Sequence, residues 1–253
     1  MNKEKEILLA KIIDPEKNRV VILPMDHGVS EGPIDGLINM KETILKVKQG
    51  GVDAIVIHKG IYKKYKEVIG DLPALIHLSA STKIGNVLKK VLIATVQEIK
   101  ELGAQGASIH VNLGNKYEED MLKDLGVVSR ECERIGLPLL AMMYPRDEEN
   151  GRIISYTDSE RVKLAARVAF ELGADIVKVP YTGSAESFQE VCQGVDIPVV
   201  IAGGAKGNEK EMLKSIKDCV MVGAAGVSIG RNAFQADDIP RTIGKIRSVV
   251  YDN

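Results

Sequence analysis

Asp26, Tyr144 and Lys178 are a carboxylate, a phenol and an amine, the set that Schiff-base chemistry on a ketone uses. Lys178 stands inside an apolar run, Asp175-Ile176-Val177-Lys178-Val179-Pro180-Tyr181-Thr182-Gly183. Three β-branched neighbours make the run a buried strand, and Pro180 and Gly183 end it. A lysine is rare in such a strand unless something pairs it or uses it. Apolar surroundings disfavour the charged form and so lower the pKa. A free amine can attack a carbonyl; loss of water then leaves an iminium that draws electrons from a neighbouring C–C bond. Tyr144 can move a proton at the enamine carbon, and Asp26 at the hydroxyl of the breaking bond. Each residue also has a plainer reading. Lys178 can be a structural lysine whose tip reaches solvent or an ion pair, Asp26 a turn or N-cap residue before Gly28, and Tyr144 a rim aromatic.

Two glycine-bearing stretches add an anion site. Ala202-Gly203-Gly204-Ala205-Lys206 and Ser228-Ile229-Gly230-Arg231-Asn232 each follow an apolar run. Glycines let backbone N–H groups approach a phosphate, and Arg231 adds charge-assisted hydrogen bonds. The plain alternative is a pair of tight turns.

Eight apolar runs must position these groups: Val20 to Pro24, Ala54 to His58, Ala74 to Leu78, Ala107 to Val111, Pro138 to Met143, Asp175 to Pro180, Pro198 to Ala202 and Gly226 to Ile229. Helical spacing separates most of them, as in Met40 to Lys48, Ser159 to Leu172 and Lys210 to Val222. A weak repeat ends a helix on glycine and starts a strand after a short turn, at Gly51, Gly103, Gly173 and Gly223. Eight strands in 253 residues predict one (β/α)8 barrel over the whole chain, with a doubly wound open sheet as the alternative. Barrel function sits at the C-terminal strand ends. Asp26, Tyr144, Lys178, both glycine stretches and all four histidines fall there. Alternation predicts that Ile176 points inward with Lys178, while Val177 and Val179 face the helices.

Composition removes other classes. A net charge of −1 with both signs interspersed argues against a nucleic-acid or anionic-membrane surface. Three scattered cysteines provide no disulfide framework and point to a reducing cytoplasm. No apolar run reaches the length of a signal-peptide core or a membrane span. His27, His58, His77 and His110 can converge on a metal, as in a metal-dependent aldolase. They come from four strands without metal-ligand spacing, so no metal is expected; orienting substrate or loop backbone is the alternative role. Lys63-Lys64-Tyr65-Lys66 reads as a solvated helix face.

The strand ends together resemble the archaeal-type class I aldolases, a family that includes fructose-bisphosphate aldolase and 2-amino-3,7-dideoxy-D-threo-hept-6-ulosonate synthase. The resemblance spans essentially the whole chain. It rests on Met25-Asp26-His27-Gly28, His58-Lys59-Gly60, Met143-Tyr144-Pro145-Arg146, Lys178 with Tyr181-Thr182-Gly183, Ala202-Gly203-Gly204 and Gly230-Arg231-Asn232. It implies Lys178 as the imine-forming lysine, Tyr144 as acid/base and Asp26 as a second catalytic group. It implies a sugar phosphate held by Gly203, Gly204, Gly230 and Arg231, with His27, Lys59, Arg146 and Thr182 also binding substrate. No cofactor is implied beyond the lysine imine, and the family's rings and decamers imply a homo-oligomer.

Within the family the synthase branch is the nearer likeness. The aldolase branch carries tryptophan two residues before the tyrosine, where this chain has Met142. Ser79-Ala80-Ser81-Thr82 and Phe234-Gln235 also look like the synthase branch. The implied reaction transfers part of a deoxy-ketohexose 1-phosphate to L-aspartate semialdehyde in aromatic amino-acid biosynthesis. Fructose-bisphosphate cleavage, and joining of the semialdehyde to dihydroxyacetone phosphate, are the related alternatives. The chain departs from the family at Asp147-Glu148-Glu149-Asn150-Gly151, where glycine usually follows Tyr-Pro-Arg. These acidic side chains either alter acceptor choice or lie in solvent. From the phosphate loops alone, a non-covalent sugar-phosphate isomerase or binding barrel is the reading from a different class.

Overall fold

Val20–Pro24 (β1), Ala54–Ile57 (β2), Ala74–His77 (β3), Gly106–Leu113 (β4), Leu139–Glu149 (β5), Ile176–Val179 (β6), Val199–Ala202 (β7) and Gly226–Ser228 (β8) pair in parallel, each with the next. The ring shuts where Val20 of β1 pairs with Gly226 of β8. That pairing makes the sheet a closed barrel and removes the open-sheet alternative. The computed structural model describes residues 2–252.

Alternation sorts each strand into two layers. Ile22, Val56, Leu75, Leu140, Met142, Ile176 and Val200 fill the barrel. Val21, Ile55, Ile76, Ala141, Val177 and Val179 pack outward against the helices. The inward Ile176 and outward Val177 and Val179 are the arrangement that alternation predicts.

The helices Met40–Gly50, Ser159–Glu171 and Glu209–Met221 begin on capping side chains. Asn39, Asp158 and Asn208 each accept a backbone N–H of the first turn. The four repeat glycines, Gly51, Gly103, Gly173 and Gly223, all take positive φ, which turns the chain sharply from helix to strand.

Three features depart from the regular alternation. A first helix, Lys3–Ile12, brings Leu9, Ile12 and Ile13 against the interior residues and so closes the end of the barrel remote from Lys178. Its Lys5, 2% exposed, pairs with Glu133 at 2.8 Å and Asp175 at 2.9 Å. After β3, the two-residue strands Ser79–Ala80 and Val91–Leu92 pair antiparallel and hold a strap over the open end. After the barrel pairing ends, β5 runs on and folds back on Arg152–Ser155. Asn150 and Gly151 make that turn with φ of 51° and 75°, the conformation of a tight hairpin. The segment Asp147–Gly151 is therefore hairpin rather than loop. Tyr144, expected at the end of a strand, lies inside one, because Tyr144 and Pro145 still pair with Asn112 and Leu113.

Candidate active site

Lys178 stands on the third residue of β6 and points into the barrel. It is 6% exposed, and among the described residues no hydrogen bond or ion pair within 4.0 Å engages its Nζ. A buried amine without a fixed partner can turn toward a ligand at little cost in lost contacts. Met142 of β5 is its partner in register, and Tyr144 follows two residues later on the same inward face. The Tyr144 ring lies 4.8 Å from the His110 ring, and the Arg146 guanidinium covers it at 4.2 Å.

Asp26 follows β1 at the N-cap position of the short helix His27–Glu31, yet its side chain makes no capping bond. Its carboxylate faces His27 Nδ1 at 3.7 Å and His77 Nε2 at 3.6 Å instead. Burial raises this acid, but the charges of His77, His27, Lys178 and His58 around it prevail and hold it at about 2. His77 is fixed from behind by Ser108, whose hydroxyl is 2.8 Å from Nδ1. Burial outweighs Asp26 and takes His77 down to about 4. At neutral pH this end of the site therefore holds an ionised aspartate beside a neutral histidine. Among the described residues, no group of three or more His, Cys, Asp or Glu is disposed to hold a metal ion.

The glycine stretches follow β7 and β8, and β8 is the neighbour of β1, the strand that leads to Asp26. A Cβ on Gly203 would stand 2.8 Å from the Ile229 side chain, and one on Gly230 would stand 2.7 Å from the Pro24 carbonyl oxygen. Gly204 has φ of 64° and open space before it. Asn232 ties the loops together, donating to the carbonyls of Gly203 at 2.7 Å and Ala205 at 2.9 Å. Arg231 donates to the Gly204 carbonyl at 3.3 Å, while its Nε is buried with no protein partner. The Ser228 hydroxyl is buried and unpartnered beneath the same loops. These free donors and the open Gly204 backbone suit an oxyanion such as a phosphate.

The open end divides into two lobes. The larger, about 480 Å³, is lined by Gly203, Gly204, Gly230 and Ser228. The smaller, about 280 Å³, is lined by Asp26, His58, His77 and His110. Lys178, Tyr144, His27, Arg146 and Arg231 border both. The buried amine thus reaches the phosphate-suited lobe and the carboxylate-bearing lobe from one position.

The family model of the DeoC/LacD family aldolases matches residues 20–236, from the first barrel strand to the helix after the last. The chain belongs to the DeoC/LacD aldolase family. Among its relatives in this family is 2-amino-3,7-dideoxy-D-threo-hept-6-ulosonate synthase 1 of Archaeoglobus fulgidus, 43% identical over 94% of this chain and 88% of the relative. The 2-amino-4,5-dihydroxy-6-oxo-7-(phosphonooxy)heptanoate synthase of Streptomyces griseus is 34% identical over 98% and 91%. The fold of an archaeal fructose 1,6-bisphosphate aldolase superposes with a TM-score of 0.89 at 29% identity, over 99% of this chain and 100% of that one. Another archaeal fructose-1,6-bisphosphate aldolase, solved with its catalytic lysine covalently bound to the carbinolamine intermediate, superposes at 0.87 with 30% identity, over 98% and 100%.

Two of the substrate-binding positions expected of a family member lie away from both lobes. Lys59 begins the helix Lys59–Ile69 and pairs with Glu98 at 2.9 Å, on the flank toward the helix Val96–Leu102. Thr182 shares a hydrogen bond of 2.7 Å with Ser187, inside the start of the helix Ala185–Gln193. The lysine stretch after Lys59 is a solvated helix face, with Lys63, Lys64 and Lys66 all exposed; Lys63 pairs there with Glu98, and Lys66 donates to the Leu102 carbonyl. Conversely, Lys90 borders the smaller lobe from the strap after β3, where neither periodicity nor a motif marks it; Ser81, of the Ser79-Ala80-Ser81-Thr82 stretch, lines the same lobe.

Proposed function

We propose that this DeoC/LacD family member is a class I transaldolase, a 2-amino-3,7-dideoxy-D-threo-hept-6-ulosonate synthase that moves part of a deoxy-ketohexose 1-phosphate onto L-aspartate semialdehyde. The observation that carries the reading is Lys178: an inward amine with no fixed partner, bordering both lobes. Its Nζ adds to the donor ketone, and the carbinolamine loses water to give an iminium. The β-hydroxyl then gives its proton to a base while the Cα–Cβ electrons flow into the iminium. A three-carbon aldehyde leaves with the donor's phosphate, and a three-carbon enamine remains on Lys178. Asp26, ionised at neutral pH, suits that proton. Tyr144, one inward step beyond the partner of Lys178, suits the proton transfers at the carbinolamine and the enamine carbon. The enamine carbon next attacks the acceptor aldehyde, whose oxygen takes the proton back. Hydrolysis of the new imine frees a seven-carbon amino keto acid and Lys178.

The lysine imine is itself the electron sink, so the reaction asks for no resident cofactor. Gly203, Gly204, Gly230 and Arg231 suit the donor's phosphate, with Arg146 and His27 bordering the bound sugar. A cytoplasmic homo-oligomer belongs to the same reading; the oligomer rests on the family resemblance and the compartment on the three scattered cysteines. Incubation with donor and L-aspartate semialdehyde, followed by product mass, tests the assignment. The reading expects the amino keto acid only when the semialdehyde is present. Cleavage of fructose 1,6-bisphosphate to triose phosphates, with no semialdehyde product, would replace it with class I fructose-bisphosphate aldolase.

A further inference from the structure

Two cations of the smaller lobe, Lys90 and Arg146, have no carboxylate in direct contact. Lys90 reaches it from the strap after β3, and its ammonium donates at 2.5 Å to the hydroxyl of Ser81, a neutral partner. Arg146 reaches it from β5, where its Nε donates to the Ser155 hydroxyl at 3.0 Å. Among the described residues neither cation has a carboxylate oxygen within 4.0 Å. This differs from the other side of the same barrel end, where Lys59 and Lys63 both meet Glu98.

Half-buried like charges around one cavity repel, and the repulsion is poorly screened there. Burial, with the charge of Arg146 adding to it and that of Asp26 opposing it, brings Lys90 down to about 8. Burial and these two cations also hold His110 far below the ordinary imidazole range. An anionic ligand would relieve all three.

The kind of anion follows from the lobe wall. The larger lobe has the glycine loops and open backbone that suit a phosphate dianion. The smaller lobe has side-chain donors and no such loop. Its wall also carries Asp26, which opposes a second negative charge but favours an α-ammonium group, while Glu31 is paired with Arg231 at 3.7 Å. Cations and a carboxylate on one small wall suit a zwitterion.

We propose that the smaller lobe is the acceptor subsite, and that Lys90, together with Arg146, binds the carboxylate of an amino-acid-derived aldehyde. Lys90 is then the residue that selects such an acceptor. The proposal rests on Lys178 being the imine-forming nucleophile.

Lys90→Met tests it with three acceptors. The KM for L-aspartate semialdehyde should rise about tenfold to 100-fold, the scale of one charge-assisted hydrogen bond, with kcat little changed. The KM for propanal, which has no charge to bind, should move less than about twofold. Lys90→Arg keeps a cation in place and should recover most of the lost affinity. Borohydride trapping of the donor at Lys178 should persist in Lys90→Met, which also shows that the variant is folded. The proposal is overturned if the semialdehyde KM stays put, if propanal loses as much, or if the donor adduct is lost with the semialdehyde affinity. It is also overturned if glyceraldehyde 3-phosphate alone suffers, because the lobe would then hold a phosphate. If the wild-type protein traps no donor at all, the nucleophile reading fails and this proposal with it. Trapping in the wild type with unchanged acceptor kinetics in the variant sinks the acceptor subsite alone.

Discussion

Met142 and Lys178 are partners in register across β5 and β6, and Tyr144 stands two residues beyond Met142 on the same inward face. The phenol is thereby carried past the amine toward the open end by strand geometry, about 6.6 Å of rise for two residues. Pro145 and Leu113 still pair above it, so the position is held by the barrel and not by a loop. Tyr144→Phe should therefore leave the fold and the donor imine intact and lower kcat about 10²- to 10⁴-fold, the usual weight of one acid/base group. Steady-state kinetics beside borohydride trapping separate the two effects. Equal loss of trapping and turnover would place Tyr144 before imine formation only.

Lys59 provides the opposite expectation. Its ion pair with Glu98 holds it on the helical flank, outside both lobes. Lys59→Ala should change kcat/KM less than about threefold. Stability should fall by under about 1 kcal/mol, because half-exposed ion pairs contribute little. A tenfold loss of kcat/KM would return Lys59 to the substrate.

The buried histidines make stability acid-sensitive. His77 has a folded pKa of about 4, below the ordinary 6.5 of an unfolded histidine. Between those values the unfolded chain binds the proton and the folded one does not, so stability is full above 6.5 and declines as pH falls toward 4. From pH 6.5 to 5 the decline due to His77 is about 2 kcal/mol. His77→Gln should lose that much less than wild type over the same interval, whatever its stability at pH 7. Urea denaturation at pH 7 and pH 5 measures this double difference, and parallel declines would contradict the burial account of His77.

Gly226 tests the barrel closure. Its φ is 150°, and an added Cβ would stand 1.9 Å from the Val20 carbonyl oxygen, an atom of the backbone that it pairs with. Gly226→Ala cannot be absorbed by a side-chain movement. It should destabilise the protein by more than about 3 kcal/mol or prevent its accumulation, the outcome for steric conflict at a special backbone position. A thermal midpoint within 2 °C of wild type, an order-of-magnitude bound from the usual scaling of midpoint with stability, would show that β1 and β8 meet differently.

Most strands were legible because they repeat a physical device: a glycine of positive φ after a helix, then an apolar run with two buried faces. Lys178 was legible for the same reason, as a charge inside such a run. The N-terminal helix was not, because its apolar residues Ile7, Leu8, Leu9 and Ala10 run together and show no period before Ile12. The continuation of β5 was missed because Asp147 to Glu149 are polar, and their pairing depends on the Asn150-Gly151 turn rather than on burial. Lys90 carries no local signal. It is one lysine among many until the strap folds over the barrel and half-buries it beside the smaller lobe. Lys59 occupies a motif position, but which way a side chain leaves a helix N-terminus is decided by its neighbours, here Glu98.

The central claim is that Lys178 is the nucleophile. The most direct measurement is borohydride reduction in the presence of the ketose phosphate donor, followed by peptide mass analysis. The account predicts one reduced adduct, on the peptide containing Lys178, and none in Lys178→Met, a folded variant that has lost turnover. Turnover without an adduct, an adduct on another lysine, or activity retained by Lys178→Met would contradict it.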